Sequence, residues 1–471
     1  MAACSQAARP AGQAVHLTVD AAHPGATVPA SFLGLAFEYD DILRYAGGGA
    51  PDPAVVRLLR NVLPPGSGPP VLRLGGNSTD ESWWNPDGRP APPGISYAVD
   101  RAWLQAVGGT ASALGARLIL GVNLGLDDPG AGASWAVAAS AGLGSGLAAF
   151  EIGNEPDLYP GHAYGAGRTV RPPGYGFGQY EAEYRAYAAA LRQALGPGVP
   201  LAGPAALTPA WMAGLPGFLQ RESPASVTYH QYPLSACGVK PGQAGYPTIG
   251  ELLSDRSTHR LATEVVPFVR EAAAAGRGLR VDEVNSAICH GARGVSDTFA
   301  SALWVADLLF EYAAIGVAGV NVQTVSWAAY TPFVPGPRPV VEPEYYGLWL
   351  AAQALPAGAR LVPVRGAGGD VEAWATLDGR GTLRLVLLHR GSGGPAGVDV
   401  QLPGRGPARV ARLQAPSLDA RTGVSLGGAT FDGSGDGRPR GTAGGERVDQ
   451  AGGTYRLRLP AASGALVTLG A

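Results

Sequence analysis

Eight short apolar runs recur between residues 30 and 325, each about the length of a buried strand. They are Phe32 to Phe37, Val71 to Leu74, Arg117 to Asn123, Ala148 to Ile152, Val199 to Gly203, Ser226 to His230, Gly278 to Asp282 and Gly319 to Gln323. Longer segments with helical spacing separate them, including Pro53 to Val62, Asp100 to Leu114, Gln179 to Leu195, Thr258 to Ala275 and Ser296 to Ile315. Eight strand and helix units with right-handed crossovers predict a closed (β/α)8 TIM barrel.

A doubly wound open sheet is the structural alternative to the barrel. It is less favoured because the first strand is followed by no Gly-x-Gly-x-x-Gly turn, and the chain contains no phosphate loop.

After about residue 355 the pattern changes to short β-type runs separated by Gly, Pro, Asp and Ser, which is typical of an antiparallel β-sandwich. These runs are Val371 to Ala375, Thr382 to His389, Gly397 to Leu402, Ala408 to Leu413, Tyr455 to Leu459 and Ala465 to Leu469. The N-terminal run Ala14 to Val19 is predicted to join this sandwich, and Leu426 to Gly453 to form a turn-rich hairpin or insertion. The predicted organisation is a tail (1-12), an N-terminal strand (13-30), a catalytic barrel (31-350) and a C-terminal β-sandwich (351-471).

Composition agrees with a globular chain of this kind. The 471 residues exceed the usual span of one core, and 46% are hydrophobic against 15% charged. The formal net charge of -2 comes with no long basic run, which argues against nucleic acid as a partner. No stretch of eighteen apolar residues lacks glycine or charge, so no transmembrane segment is predicted.

Three cysteines, Cys4, Cys237 and Cys289, are too few for a disulfide framework. Met1-Ala2-Ala3-Cys4 is similar to the end of a bacterial lipoprotein signal and predicts an exported protein with a lipid anchor at Cys4. The equal alternative is an ordinary start followed by a disordered tail, which leaves a cytoplasmic location open.

Glu155 stands in the string Phe150-Glu-Ile-Gly-Asn-Glu-Pro-Asp157, where an apolar run stops at Asn-Glu-Pro. Proline cannot continue the hydrogen-bonded ladder, so this carboxylate is predicted at the C-terminal end of the fourth strand. Barrel enzymes carry their catalytic groups at that end.

A second carboxylate, Glu283, ends the seventh strand in Arg280-Val-Asp-Glu-Val-Asn-Ser286. Strands four and seven face each other across a barrel of eight, so Glu155 and Glu283 are expected to converge on one substrate. This is the arrangement that a two-carboxylate glycosidase requires. The structural alternative is that each Glu caps its strand or pairs with a surface Arg.

These motifs resemble those of glycoside hydrolase clan A. Within the clan, four strings look like family 79, the β-glucuronidase and heparanase group: Phe150 to Asp157, Arg73-Leu-Gly-Gly-Asn-Ser78, Asp282-Glu-Val-Asn-Ser286 and Gly294-Val-Ser-Asp-Thr-Phe-Ala-Ser-Ala-Leu-Trp304. The resemblance covers the barrel and extends to a C-terminal β-domain. It implies Glu155 as general acid/base, Glu283 as nucleophile and retention of the anomeric configuration.

The remaining site candidates are polar or aromatic residues near strand ends. Asn154 is expected to contact the sugar 2-hydroxyl or to serve as a turn residue. Tyr232 is expected to steady Glu283, with Tyr229 or His230 in its place if the register differs. Arg73 is expected to orient carboxylates from inside the barrel.

By resemblance, Glu38 and Asn77 are expected to bind sugar hydroxyls, unless Glu38 pairs with Arg73. Tyr330 resembles a tyrosine that contacts the sugar's C6 substituent. His290 is either a donor to a C6 carboxylate or a solvated loop residue. Trp327, Trp83 and Trp84 are candidate sugar platforms in top-face loops.

The chain departs from the family where the C6 substituent is recognised. Ile288 stands where many relatives carry a tyrosine, which weakens the prediction of a uronate and favours, as an alternative, a β-glucosidase or disaccharide-releasing β-glycosidase. Cys237 and Cys289 lie in neighbouring top-face loops and either form a disulfide at the rim or remain free.

The leading prediction is therefore an exo-acting retaining β-glucuronidase that uses a carbohydrate or glycoside substrate. A non-catalytic carbohydrate-binding barrel is a remote alternative. No His/Cys/Asp cluster has metal-ligand spacing, and the two-carboxylate mechanism requires neither a metal nor another cofactor.

Overall fold

Eight parallel strands close into a barrel, in the order in which they occur along the chain. In this computed structural model, residues 14–63, 68–161, 163–164, 168–402, 406–442 and 444–470 are described. Barrel strands one to eight are Leu33–Glu38, Val71–Gly75, Arg117–Val122, Leu147–Ile152, Leu201–Ala206, Ser226–Gln231, Gly278–Val284 and Gly319–Thr324. Each overlaps one predicted apolar run, and the predicted barrel is confirmed.

Ten α-helices lie in the described part of the chain, and their starts follow recognisable caps. They span Ile42–Ala46, Pro53–Val62, Arg101–Leu114, Pro129–Leu143, Phe177–Leu195, Leu215–Glu222, Ile249–Leu252, His259–Ala274, Phe299–Ile315 and Pro343–Ala354. Asp52 accepts hydrogen bonds from the backbone N–H groups of Ala54 and Val55, which ties down the first turn of its helix.

The second domain is a sandwich of two sheets. One sheet contains, in spatial order, Val364–Arg365, Val15–Val19, Ala396–Gln401 and Thr454–Leu459. The other contains Arg360–Val362, Val371–Leu377, Leu383–His389, Ser463–Leu469, Ala408–Gln414 and Ser425–Leu426, with Glu446–Val448 beside Ala408–Gln414. The N-terminal strand therefore joins the sandwich, as predicted, although its pairing with Ala396–Gln401 is parallel.

The sandwich packs on the last two barrel helices. Trp374 stacks on Phe310 at a centroid distance of 5.8 Å and donates its indole N–H to Asp307. The turn-rich segment after Leu426 also docks on the barrel, because Phe431 packs against Trp349 at 5.1 Å. These contacts join the two domains along the last two helices of the barrel.

Two sequence predictions fall outside these elements. The predicted tail with Cys4 lies outside the described residues. None of the helices in the described chain has the length and apolarity needed to cross a bilayer.

Candidate active site

A cavity of about 390 Å³ opens at the carboxyl ends of the barrel strands, a size that suits one sugar ring. Most of its lining residues are polar or aromatic. They are Glu38, Asn77, Glu155, Leu158, Leu207, Tyr232, Cys237, Glu283, Ile288, Cys289, His290, Gln323 and Tyr330. Both predicted catalytic carboxylates therefore reach the same pocket.

The backbone after strand four turns sharply to present Glu155. Gly153 has φ of 84°, and Glu155 itself has φ of 45°, a left-handed conformation that costs a non-glycine residue about 1 kcal/mol or more. The Glu155 N–H donates to the carbonyl of Ala205 at 2.9 Å, which holds this turn against the next strand. A conformation with this cost is common at functional sites.

Strand seven contains a bulge immediately before its catalytic candidate. Tyr229 on strand six is opposite Val281, whereas the next residue, His230, is opposite Glu283. The extra residue is Asp282, so the usual alternation of faces is interrupted. Asp282 and Glu283 are both buried and both approach His230 inside the barrel.

Glu155 and Glu283 lie close together, and both approach the same ring nitrogen of His230. One carboxylate oxygen from each, together with a ring nitrogen of His230, lie within 4.8 Å of one another. Nδ1 of His230 is 3.0 Å from Oε1 of Glu155 and 3.9 Å from Oε2 of Glu283. Tyr232 donates its hydroxyl to Oε1 of Glu283 at 2.8 Å, the role that the sequence predicted for it.

The two carboxyls have opposite electrostatic environments. Burial and the charge of Glu283 raise the pKa of Glu155, although its hydrogen bond with His230 opposes this shift. Burial would also raise the pKa of Glu283, but His230, Arg73 and the Tyr232 hydroxyl outweigh burial and lower it. The two pKa values are therefore moved in opposite directions, so that a proton shared by the pair is favoured on Glu155.

Arg73 is the buried cation beneath the pocket. Its guanidinium donates to Glu283 at 2.5 Å, to Glu151 at 2.7 Å and to the side-chain oxygen of Asn154 at 2.9 Å. Burial would lower the pKa of Arg73, but the surrounding carboxylates raise it above its ordinary value. Arg73 orients carboxylates from the interior, and it does not pair with Glu38.

Gly75 and Gly76 are required because the side chains of Arg73 and Glu38 occupy the space that a Cβ atom would need. A Cβ at position 75 would collide with the guanidinium of Arg73. A Cβ at position 76 would collide with the carboxyl of Glu38, and Gly76 has φ of 73°. Glycine at both positions lets the charged groups approach the backbone.

Glu38 lies on the pocket wall at the end of strand one. It accepts hydrogen bonds from Ser78 and from the side-chain amide of Gln323 at 3.1 Å. Burial, followed by repulsion from Glu283, raises the pKa of Glu38 to about 8, although Ser78 opposes the shift. A protonated Glu38 can both donate to and accept from sugar hydroxyls.

The rim is built by loops after strands six, seven and eight. Cys237 and Cys289 form a disulfide with their Cα atoms 6.1 Å apart, which resolves the alternative that the sequence left open. His290 contacts the ring of Trp327 at 4.4 Å between centroids, and 56% of Trp327 is exposed. Partial desolvation lowers the pKa of His290.

Asn77 and Asn154, two other predicted sugar contacts, differ in their exposure to the pocket. Asn77 is exposed to the pocket and accepts from the side-chain amide of Asn154 at 3.2 Å. Asn154 is fully buried between Arg73 and Asn77, so a contact with the sugar 2-hydroxyl stays a prediction.

The suggestion that Trp83 and Trp84 are sugar platforms is not supported by their positions. Both line a separate small cavity together with Tyr39 and Trp135. Trp84 packs on Trp135 at 5.7 Å because the strand Ser82–Trp84 folds back over the helix Pro129–Leu143. The ring of Trp84 is thus used in packing, and the ring of Trp83 lies 5.3 Å from the guanidinium carbon of Arg89.

Sequence reasoning missed the buried group formed by Glu151, His230 and Asp282. Their ligand-type atoms lie within 4.8 Å of one another, close enough for a metal ion. Nε of Arg73, however, lies 2.7 Å from Glu151 and 3.5 Å from Asp282 and already supplies the positive charge there. We therefore assign no metal to this group. The bulge at Asp282, which strict alternation does not reveal, is the reason it was missed.

Comparison with known families supports the resemblance seen in the barrel motifs. Residues 373–466 match the sequence model of the glycosyl hydrolase family 79 C-terminal beta domain. This match lies in the sandwich, away from the barrel motifs, and supports the resemblance predicted from them. No curated protein sequence matches the chain significantly.

Solved glycoside hydrolases share the fold across nearly the whole chain. A 4-O-α-L-rhamnosyl-β-D-glucuronidase from Fusarium oxysporum 12S superposes with a TM-score of 0.79 at 19% identity, covering 96% of this chain and 100% of that one. A family 51 arabinofuranosidase from Xanthomonas axonopodis pv. citri gives 0.67 at 17% identity, covering 96% and 99%. An α-L-arabinofuranosidase from Thermotoga maritima gives 0.69 at 15% identity, covering 97% and 100%. At these identities the likeness establishes the architecture.

Proposed function

We propose that this glycoside hydrolase, a family 79 enzyme by its motifs and its C-terminal domain, is a retaining, exo-acting β-glycosidase with β-glucuronides as its leading substrates. The proposal depends most on the approach of the Glu155 and Glu283 carboxylate oxygens to within 4.8 Å. Retaining enzymes hold their two carboxyls about 5–5.5 Å apart, whereas inverting enzymes leave about 6.5–9.5 Å for a water. The separation supports covalent attack.

In the first half-reaction, ionised Glu283 attacks the anomeric carbon while Glu155 gives its proton to the departing glycosidic oxygen. The bond to the aglycone breaks and an ester to Glu283 forms. In the second half-reaction, Glu155 accepts a proton from water, which attacks the same carbon and releases Glu283.

The change of role at Glu155 follows from the charge of its neighbour. Repulsion from ionised Glu283 contributes to the raised pKa of Glu155. That repulsion disappears when Glu283 becomes an ester, so the pKa of Glu155 falls and the group can serve as a base. One carboxyl thereby serves both steps.

The enclosed pocket supports action on a terminal sugar. Its volume of about 390 Å³ suits one ring, and Glu38, Gln323 and Asn77 offer hydrogen-bonding groups to the ring hydroxyls. Tyr330 and His290 lie on another part of the lining, where the substituent at C6 is proposed to bind. The Tyr330 hydroxyl and the His290 imidazole can donate to a carboxylate there.

A neutral sugar is the second candidate, for a specific reason. Ile288 places an apolar side chain in the lining, and none of the described residues that line the pocket is Arg or Lys. A carboxylate bound there would have no cationic partner in direct contact, so a β-glucoside or a 6-substituted glucoside is the alternative substrate.

Hydrolysis of matched chromogenic substrates tests the choice. We expect kcat/KM for 4-nitrophenyl β-glucuronide to exceed that for the β-glucoside and the β-xyloside, and equal or higher glucoside activity would reverse the order of the two candidates. Ile288→Tyr adds a hydroxyl at the rim and is expected to raise the glucuronide-to-glucoside ratio, with Ile288→Val as control. Proton NMR of the first-formed sugar should show the β anomer, and an α anomer would exclude retention.

A further inference from the structure

Below the catalytic pair, four titratable or charged side chains pack together with essentially no access to solvent. Glu151, His230, Asp282 and Arg73 are each 0% exposed. Glu151 comes from strand four, His230 from strand six, Asp282 from strand seven and Arg73 from strand two. Each strand thus sends one side chain into the barrel interior, directly under Glu155 and Glu283.

Several polar atoms in this cluster lack a hydrogen-bond partner. Oε1 of Glu151, both oxygens of Asp282 and Nε2 of His230 are buried and make no hydrogen bond to a described protein atom. Arg73 donates only to the other oxygen of Glu151 within this group. If both carboxyls were ionised, these buried oxygens of Glu151 and Asp282 would face one another as acceptors, which is unfavourable because a buried acceptor needs a donor. A proton held by the cluster supplies the missing donor.

The charges around Asp282 indicate which carboxyl holds that proton. Asp282 is faced by Glu151, by His230 at 3.6 Å and by Nε of Arg73 at 3.5 Å, and Arg280 lies on its own strand. Burial and then repulsion from Glu151 raise the pKa of Asp282 well above its ordinary value, against the effect of the two arginines. Burial would also raise the pKa of Glu151, but the direct contact with Arg73 outweighs it and lowers that pKa to about 2.

We propose that Asp282 carries a proton at the working pH and that this neutral carboxyl, which faces Nε2 of His230, keeps the ring hydrogen on Nδ1 for donation to Glu155. Asp282 is then a positioning residue that acts through His230. The inference rests on the proposed role of Glu155 as acid/base. The competing arrangement has the same number of protons but places an imidazolium at His230 against an ionised Asp282.

The placement of the ring hydrogen matters because Glu155 has two oxygens with different tasks. Nδ1 of His230 lies 3.0 Å from Oε1 of Glu155. If Nδ1 donates to Oε1, the transferable proton stays on the other oxygen, free to meet the glycosidic oxygen of the substrate. If Nδ1 were a bare acceptor, the Glu155 hydroxyl would be held by the ring and turned away from the leaving group.

Two variants of Asp282 distinguish a protonated from an ionised Asp282 through the pH dependence of their activity. Asp282→Asn is neutral and keeps an N–H donor, so we expect kcat within about threefold of the native value and both limbs of the kcat/KM profile within about 0.3 pH units. Asp282→Ala removes the donor and should lower kcat by about tenfold or more, a loss that Asn restores. If Asp282 were ionised, Asn would remove a negative charge near Glu155, lower its pKa and shift the alkaline limb down by about one unit. That shift would overturn the proposal.

Infrared spectroscopy tests the proton without any substrate. The difference spectrum between the native enzyme and Asp282→Asn should contain the carbonyl stretch of a buried carboxylic acid, with a small shift in D₂O. Other protonated carboxyls, such as Glu38, cancel in this difference. Absence of the band at the working pH would refute the protonated Asp282, whether or not the enzyme hydrolyses glycosides. If the band is present but glycosides are not cleaved, only the proposed function fails.

Discussion

The floor and the rim of the pocket are built by different means. The floor consists of strand residues, including Arg73, Glu151 and Glu283, which are buried and fixed by short charged contacts. The rim consists of loop residues, including His290 and Trp327, held by a disulfide and ring packing and partly open to solvent. We therefore expect the floor to determine the reaction and the rim to adapt to the substrate.

Replacement of the proposed nucleophile in the floor is expected to have the largest effect on activity. Glu283→Ala should lower kcat by more than about 10⁴-fold, because the covalent step is lost while the fold is kept. Added azide should restore part of the turnover and give the α-glycosyl azide, which NMR identifies. Glu342→Ala, at a carboxyl outside the pocket, is the control. Near-native turnover without azide would remove Glu283 from the mechanism.

The next effect concerns stability and compares two buried arginines. Arg73→Met leaves the carboxylates of Glu151 and Glu283 without their cation and should lower the free energy of unfolding by about 3–5 kcal/mol. Arg280→Met is the matched control, since Arg280 is also buried but donates to neutral groups, the side chain of Asn321 and the carbonyl of Ser31. Its loss should be smaller. Denaturant unfolding of the two variants gives the comparison, and equal losses would show that the ionic floor does not stabilise the barrel.

A smaller effect is expected where floor and rim meet, at the Tyr232 hydroxyl. This hydroxyl is one of the groups that lower the pKa of Glu283. In Tyr232→Phe the pKa of Glu283 should rise, so activity that requires its ionised form should be lost at a higher pH as the solution is acidified. The acid limb of kcat/KM is expected to move up by about one pH unit. A hydrogen bond to a charged group contributes about 1.5–3 kcal/mol, and water that replaces the tyrosine hydroxyl should recover part of this energy.

Tyr330→Phe serves as the control for this shift. Tyr330 lines the same pocket but makes no hydrogen bond to Glu283 among the described contacts. Its acid limb should stay closer to that of the native enzyme. An unmoved limb in Tyr232→Phe would mean that the other contacts of Glu283, including Arg73, are sufficient to keep it ionised.

The smallest effect is expected at the outer rim. Trp327→Ala removes an exposed ring beside His290, and we expect kcat/KM to fall by about 2–10-fold for substrates with a flat aryl aglycone. A β-glycosyl fluoride, which has no such aglycone, should be hydrolysed at the native rate. Trp327→Phe should retain most of the aryl preference. Equal losses on both substrates would place Trp327 in the support of the loop.

The same contrast explains what the sequence could predict. Barrel strands, Glu155, Glu283 and Tyr232 follow from apolar runs that end in polar residues, since strand ends meet at one face of a parallel barrel. The helix Pro129–Leu143 was not predicted, because most of its apolar residues are alanines that surround the helix. Asp128-Pro129 nevertheless repeats the start signal of Asp52-Pro53. Periodicity fails where no single face is apolar.

Other residues could not be placed from the sequence for different physical reasons. Asp282 depends on a one-residue bulge, which is revealed by the pairing of strand seven with strands six and eight. His290 has φ of 67° and Cys289 has φ of 61°, so this rim loop follows neither helical nor strand periodicity. Loop geometry of this kind depends on the disulfide and on contacts between distant segments.

The N-terminal strand Val15–Val19 has a consequence for how the protein is made. It lies between Val364–Arg365 and Ala396–Gln401, so its neighbours are synthesised after the whole barrel. Val15–Val19 must therefore remain unpaired, with its alternate apolar residues uncovered, until the sandwich strands have been synthesised. A sandwich expressed without residues 14–30 would expose two strand edges that this segment covers, and it is expected to self-associate. The sandwich is therefore built from both ends of the described chain, and no single truncation separates it from the barrel.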